Sequence, residues 1–101
     1  KELAMMKPTA YLVNTARGGI VKKKAVLAGL RRGVIAGAGL DVIENEPLKT
    51  KAEASTPNLI ATCHAAFCSR EGMLEMRTTS ARIAKQAIQG KRLDNVVNGV
   101  D

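Results

Sequence analysis

The apolar positions change period several times along the chain. Tyr11-Leu12-Val13 is a short apolar run closed by Asn14-Thr15 and Gly18-Gly19, too brief for a helix, and it predicts a buried strand. Over 21–32 the spacing lengthens. Val21, Ala25, Leu27, Ala28 and Leu30 fall largely on one helical face, with Gly33 placed as a left-handed cap and Arg31 and Arg32 suited to the helix's negative end. Residues 34–42 form a β-compatible apolar run whose Gly37 and Gly39 permit close approach to the backbone, and they predict a second strand. A polar connection over 43–57, holding Pro47 and Pro57, leads to a third strand over 58–62 around Leu59 and Ile60. Ser69 is placed to cap a helix that carries Glu71 in its first turn and Met73, Met76, Ser80, Ala84 and Ala87 at intervals of three or four, until Gly90 stops it. Lys1 to Met6 reads as the last turns of a helix halted before Pro8, and the tail from Lys91 as irregular or briefly extended.

Strand, helix, strand, long connection, strand, helix is the order of a parallel sheet, because parallel neighbours need crossovers of about a dozen residues. The expected fold class is therefore α/β, with three parallel strands and flanking helices.

Composition narrows the function. With 101 residues and 46% hydrophobic the chain is sized for one modest core, and with one Phe, one Tyr and no Trp it has almost nothing on which bases would stack. A formal charge of +7 would attract polyanions. The cations are dispersed apart from Lys22-Lys23-Lys24 and Arg31-Arg32, and no nucleic-acid motif accompanies them, so a solvated basic face is expected and no specific nucleic-acid partner. No apolar run approaches the roughly 20 residues of a spanning helix, so no membrane association is expected. Nothing indicates secretion, and the expectation is a cytoplasmic protein with Cys63 and Cys68 reduced. Cys63, His64 and Cys68 match no standard zinc spacing and lack a fourth ligand, so no metal is expected.

In open α/β sheets ligands bind beyond the carboxyl ends of the strands. After the first predicted strand come Asn14, Thr15, Ala16 and Arg17, after the second Asp41 and then Glu46, and after the third His64. Singly, each has a plain explanation: Arg17 as a solvated loop cation, Glu46 as a turn residue beside Pro47, His64 as a strand cap. Jointly they bring a guanidinium, two carboxylates and the sole histidine to one sheet edge, a concentration of reactive groups that packing does not require.

These residues also carry a family resemblance. The run from Tyr11 through Val21, with Asn14-Thr15-Ala16-Arg17-Gly18-Gly19 at its centre, resembles the signature of the D-isomer-specific 2-hydroxyacid dehydrogenases. Ala38-Gly39-Leu40-Asp41-Val42 with Glu44-Asn45-Glu46-Pro47-Leu48 resembles their second block, and Pro57-Asn58-Leu59-Ile60 through His64 their third. The resemblance implies the C-terminal half of a Rossmann-type doubly wound NAD-binding domain, the last three strands of a seven-stranded sheet. It implies a partial NAD-binding domain over 1–90 and a tail over 91–101 returning toward an absent substrate domain. It further implies a missing N-terminal part of the domain, whose absence would expose the edge of the first strand, and a homodimer when complete. The chain alone is then expected neither to turn over nor to bind NAD tightly.

The implied reaction interconverts D-2-hydroxy and 2-oxo acids, with NAD as cofactor and NADP not excluded. The catalytic residues it assigns are Arg17, Glu46 and His64. Arg17 would bind the small 2-oxo or 2-hydroxy acid through its carboxylate, His64 would exchange a proton with the carbonyl oxygen, and Glu46 would support His64. Loss of Glu46 is expected to move the pH profile. Thr15, Ala16, Arg17, Asp41, His64, Ala65, Ala66 and Phe67 would contact the nicotinamide side of the cofactor, Asp41 by accepting from its carboxamide. Phe67 after His64-Ala65-Ala66, with Glu75-Met76-Arg77, is most similar to the C-terminal-binding corepressor branch, which makes a dinucleotide-linked protein-binding module the alternative function. Two departures stand out. Lys22-Lys23-Lys24 places three cations where they oppose a helix dipole, and Cys63 stands where relatives have a proline that would help aim His64.

Overall fold

The computed structural model describes residues 1–94, 96 and 97. The chain divides into two compact units, Lys1–Ala66 and a second from Phe67 onward.

In the first unit, β1 (Tyr11–Asn14), β2 (Gly37–Leu40) and β3 (Leu59–Ala61) form a parallel sheet in the order β1-β2-β3. The register pairs Tyr11 with Gly37 through Asn14 with Leu40, and Ala38 with Leu59 through Leu40 with Ala61. Helix α1 (Lys23–Arg31) connects β1 to β2, and the three-stranded α/β arrangement is the one expected from the sequence.

The period-two alternation divides the sheet into two faces. Val26, Leu30, Ile35, Ala38 and Leu40 form the buried cluster, with Leu12 and Leu59 packed against it. Val26 and Ile35 are fully buried, each contributing about 1.5–3 kcal/mol relative to an exposed position. The alternate residues Tyr11, Val13 and Ile60 remain 73%, 71% and 71% exposed.

Several boundaries shift for identifiable reasons. The strand expected over 34–42 narrows to Gly37–Leu40 because the start of the apolar run closes the preceding helix: Gly33 takes φ +66°, its N–H reaches Leu30 O, and Val34 N–H reaches Gly29 O. The helix expected over 21–32 begins at Lys23, after a 3-10 turn at Gly18–Ile20, and the helical start over 1–6 is a 3-10 turn at Glu2–Met5.

The connection expected to be irregular over 43–57 contains a short helix, α2 (Lys51–Ala54). Thr50 Oγ1 accepts from Glu53 N–H at 3.2 Å while Glu53 accepts from Lys49 N–H at 2.8 Å, a Thr-x-x-Glu capping pattern. With only alanines as apolar residues, this turn has no hydrophobic stripe to reveal it.

The lysine cluster at the start of α1 is answered by two distant carboxylates. Glu44 accepts from Lys23 N–H at 2.8 Å, and Lys23 Nζ lies 2.8 Å from Glu53. Those two side chains are only 14% and 23% exposed. Negative charge thus reaches the positive helix end from elsewhere in the chain.

In the second unit, Ser69 caps α3 (Arg70–Ile88) by accepting from Gly72 N–H at 2.9 Å, and Gly90 at φ +63° follows its end. Both signals were legible, but no residue of α3 is buried, so the Met73-to-Ala87 stripe is not a core face. The expectation that the tail returns toward a substrate domain falls partly on residues 95 and 98–101, outside the described residues.

Candidate active site

Because the strands run parallel, the segments following β1, β2 and β3 leave the sheet from the same edge. Asn14, 6% exposed, shapes the first: its Oδ1 accepts from Ala16 N–H at 3.1 Å and its Nδ2 donates to Arg17 O at 3.0 Å. Arg17 is exposed, with Nη1 donating to Ala16 O at 2.7 Å. Gly18 then lies against the segment after β2, so close that a Cβ would stand 2.2 Å from Ile43 O.

The segments after β2 and β3 are joined by two carboxylates. Glu46 Oε1 accepts from Ile43 N–H at 3.0 Å, and Oε2 lies 3.1 Å from His64 Nδ1. The Ile43 amide foremost, then His64, holds the Glu46 carboxyl below its ordinary range. An ionised carboxylate has no proton to donate, so Nδ1 of His64 is the donor in this pair.

Asp41, 7% exposed, accepts from Thr62 Oγ1 and Ala65 N–H at Oδ1 and from Ala66 N–H at Oδ2. These bonds, with Thr62 contributing most, hold its carboxyl below the usual aspartate range. His64 lies inside this arch at φ +58°, a left-handed conformation that costs an L-residue roughly 1–2 kcal/mol.

Two cavities open here. One of about 480 Å³ is lined by Glu46, Pro47, Leu48, Thr62, Cys63 and His64. The other, about 390 Å³, is bordered by Val13, Thr15, Gly39, Asp41, Ile60 and Ala65. Its floor is flat and apolar, since Gly39 has no side chain between Val13 and Ile60 on the neighbouring strands.

Of the residues singled out from sequence, Glu46 and His64 are bonded to each other, Asp41 is bonded to Ala65 and Ala66, and Thr15 shares the smaller cavity with them. Arg17 and Ala16 follow β1 on the same edge, while Phe67, 54% exposed, belongs to the second unit. Sequence reasoning gave no role to Asn14, Gly18 or Thr62. The register that sets Leu40 beside Ala61, and hence Asp41 near Thr62, is a tertiary fact with no one-dimensional signal. Among the described residues no three His, Cys, Asp or Glu side chains gather as a metal would require, and no helix is long and apolar enough to cross a membrane.

Residues 1–66 match the family model for the D-isomer specific 2-hydroxyacid dehydrogenase, NAD binding domain. The chain belongs to this family. A glyoxylate reductase of Thermococcus gammatolerans is 49% identical over 79 residues, covering 75% of this chain and 24% of the relative. A glycerate dehydrogenase of Methylorubrum extorquens is 47% identical over 76 residues, covering 72% and 24%. The chain thus spans about a quarter of the length of these curated relatives. Among solved structures, an NADPH-dependent glyoxylate/hydroxypyruvate reductase from Sinorhizobium meliloti, in complex with NADP and malonate, superposes with a TM-score of 0.82 at 33% identity, covering 95% of this chain and 30% of that one. The NAD-complexed D-isomer specific 2-hydroxyacid dehydrogenase of Lactobacillus delbrueckii gives 0.73 at 32% identity, covering 96% and 34%.

The lining of the smaller cavity is compatible with part of the dinucleotide that this family's domain binds. A planar, largely apolar ring fits a floor of Val13, Gly39 and Ile60, with Asp41 and the Ala65-Ala66 amides at its margin. Asp41 Oδ2 takes one hydrogen bond from Ala66 and retains capacity for a second.

Proposed function

We propose that this chain is the acid–base portion of an NAD(P)-dependent dehydrogenase that interconverts small 2-oxo acids and D-2-hydroxy acids. The observation that carries the reading is the 3.1 Å contact between Glu46 Oε2 and His64 Nδ1 on the edge where three parallel strands end. With Nδ1 committed to Glu46, Nε2 is the ring nitrogen that exchanges a proton with the substrate oxygen. Bound NAD(P)H supplies the hydride. Arg17, on the turn organised by Asn14, binds the substrate carboxylate through its planar fork once its guanidinium leaves the Ala16 carbonyl. The larger cavity beside His64 suits an acid of a few carbon atoms, and the relatives named as glyoxylate, hydroxypyruvate and glycerate enzymes support that size class.

The test uses the full-length protein containing this chain, assayed for glyoxylate- and hydroxypyruvate-dependent oxidation of NADH and NADPH. Turnover is expected, with His64→Ala lowering kcat by about 10²–10⁴-fold, as for loss of a general acid. An active His64→Ala variant, or a folded wild type inert toward every short 2-oxo acid tried, would refute the reading.

A further inference from the structure

The three hydrogen bonds that converge on Asp41 surround a single residue. Thr62 lies two positions before His64, and Ala65 and Ala66 lie one and two positions after it. Bonds to the flanking chain on both sides fix the main-chain direction through His64, and His64 is the residue of this turn with a positive φ, 58°. The histidine ring is held separately. Glu46 binds Nδ1 and is itself fixed by the Ile43 amide, two residues beyond Asp41. Asp41 therefore governs where Cα of His64 points its side chain, while Glu46 governs how the ring is turned.

We infer that Asp41 is a positioning residue for His64, its carboxylate holding the left-handed turn from which the imidazole reaches the substrate. This rests on the acid–base role proposed for His64 and goes beyond any contact of Asp41 with a cofactor. Burial of Asp41 at the centre of three hydrogen bonds suits the task, because a carboxylate acceptor makes stronger hydrogen bonds than a neutral one. An anchor of this kind is felt in kcat, since a small misplacement of a reacting group lowers the rate without removing a binding contact.

The experiment compares the full-length wild type with Asp41→Asn, which preserves size but presents an amino group where one loop amide now finds an oxygen. Amide exchange over 62–66 is measured without cofactor, beside the NADH dissociation constant and the kinetics of glyoxylate reduction. We expect exchange in that segment to quicken by about tenfold or more. We also expect kcat to fall about 10–100-fold, with the NADH dissociation constant moving less than about threefold. Unchanged exchange with NADH binding weakened by about tenfold would overturn the inference, leaving Asp41 a cofactor contact only. The exchange comparison stands even if no 2-oxo acid proves to be a substrate, so failure of the proposed reaction is distinguishable from failure of the anchor. Should Asp41→Asn not fold, the wild type decides: the Ala65 and Ala66 amide proton shifts should move together as Asp41 is protonated in acid, and their invariance overturns the inference.

Discussion

Gly18 and Ile43 meet backbone to backbone, with no room for a side chain between the turn that carries Arg17 and the segment that carries Glu46. A β-carbon at position 18 would stand 2.2 Å from the Ile43 oxygen and 2.9 Å from Glu44 N, and neither backbone atom can swing aside as the end of a flexible side chain would. Gly18→Ala is expected to destabilise the protein by about 1–3 kcal/mol, the usual scale of overpacking. It should also displace Arg17 relative to Glu46. Urea unfolding checks the first effect and KM for a 2-oxo acid the second, and a variant indistinguishable in both would show that the close approach has no consequence.

Glu46→Gln keeps the shape of the side chain and removes the charge beside His64. The catalytic rate should fall by about 10–100-fold, because the His64 ring loses the carboxylate that orients it and a small misplacement of a reacting group is costly. A rate equal to that of the wild type would remove Glu46 from the mechanism.

Acid should weaken the fold through Glu53 and Asp41. Lys23 foremost, then the Lys49 amide, lowers the Glu53 pKa below its ordinary 4.5, and Thr62 with the Ala66 and Ala65 amides lowers that of Asp41 below 3.8. A carboxyl whose folded pKa is depressed stabilises above its unfolded value and loses that contribution as pH falls through the folded one. Tm is therefore expected to hold steady from neutrality to about pH 5 and to decline below it, with a shallower decline in Glu53→Gln. A Glu53→Gln melting curve that declines as steeply as the wild type would dissociate this ion pair from acid stability.

Ile35 is 1% exposed within the cluster formed by Val26, Leu30, Ala38 and Leu40. Ile35→Ala should cost about 2–5 kcal/mol through lost burial and the cavity left behind. Ile60→Ala, on the exposed sheet face at 71%, should cost far less than that. Equal losses at the two positions would mean that the faces of the sheet are not distinguished as described.

The legible parts of this molecule were those that local physics dictates. The short apolar run Tyr11-Leu12-Val13 marked β1, although Tyr11 and Val13 lie on its exposed face and the strand is not the buried one expected; Gly33 and Gly90 took the positive φ their positions required, and Ser69 capped α3 as its place before Glu71 suggested. Chain order then placed the ends of three strands on one edge and gathered most of the candidate site there. What escaped was long-range. The bonds of Thr62 to Asp41 and of Glu44 to Lys23 each join residues 21 positions apart, and the dense apposition of Gly18 with Ile43 leaves no mark in hydrophobic pattern. The features read as corepressor-like, Phe67 and Glu75-Met76-Arg77, fall after the family match ends at Ala66.

The start of α1 has a consequence for how the chain folds. With nine residues, α1 is shorter than the roughly 12–15 that an isolated helix needs in water. No side chain of its own N-cap, Lys22, accepts a bond from its first turn. Its amide partner, Glu44, arrives from beyond β2, and its charge partner, Glu53, from α2. This helix cannot serve as an early local nucleus: its helicity must await pairing of strands distant in sequence, so that its appearance reports on tertiary assembly. A synthetic 21–33 peptide should accordingly be random by circular dichroism, and in refolding the protection of α1 amides should not precede that of β2.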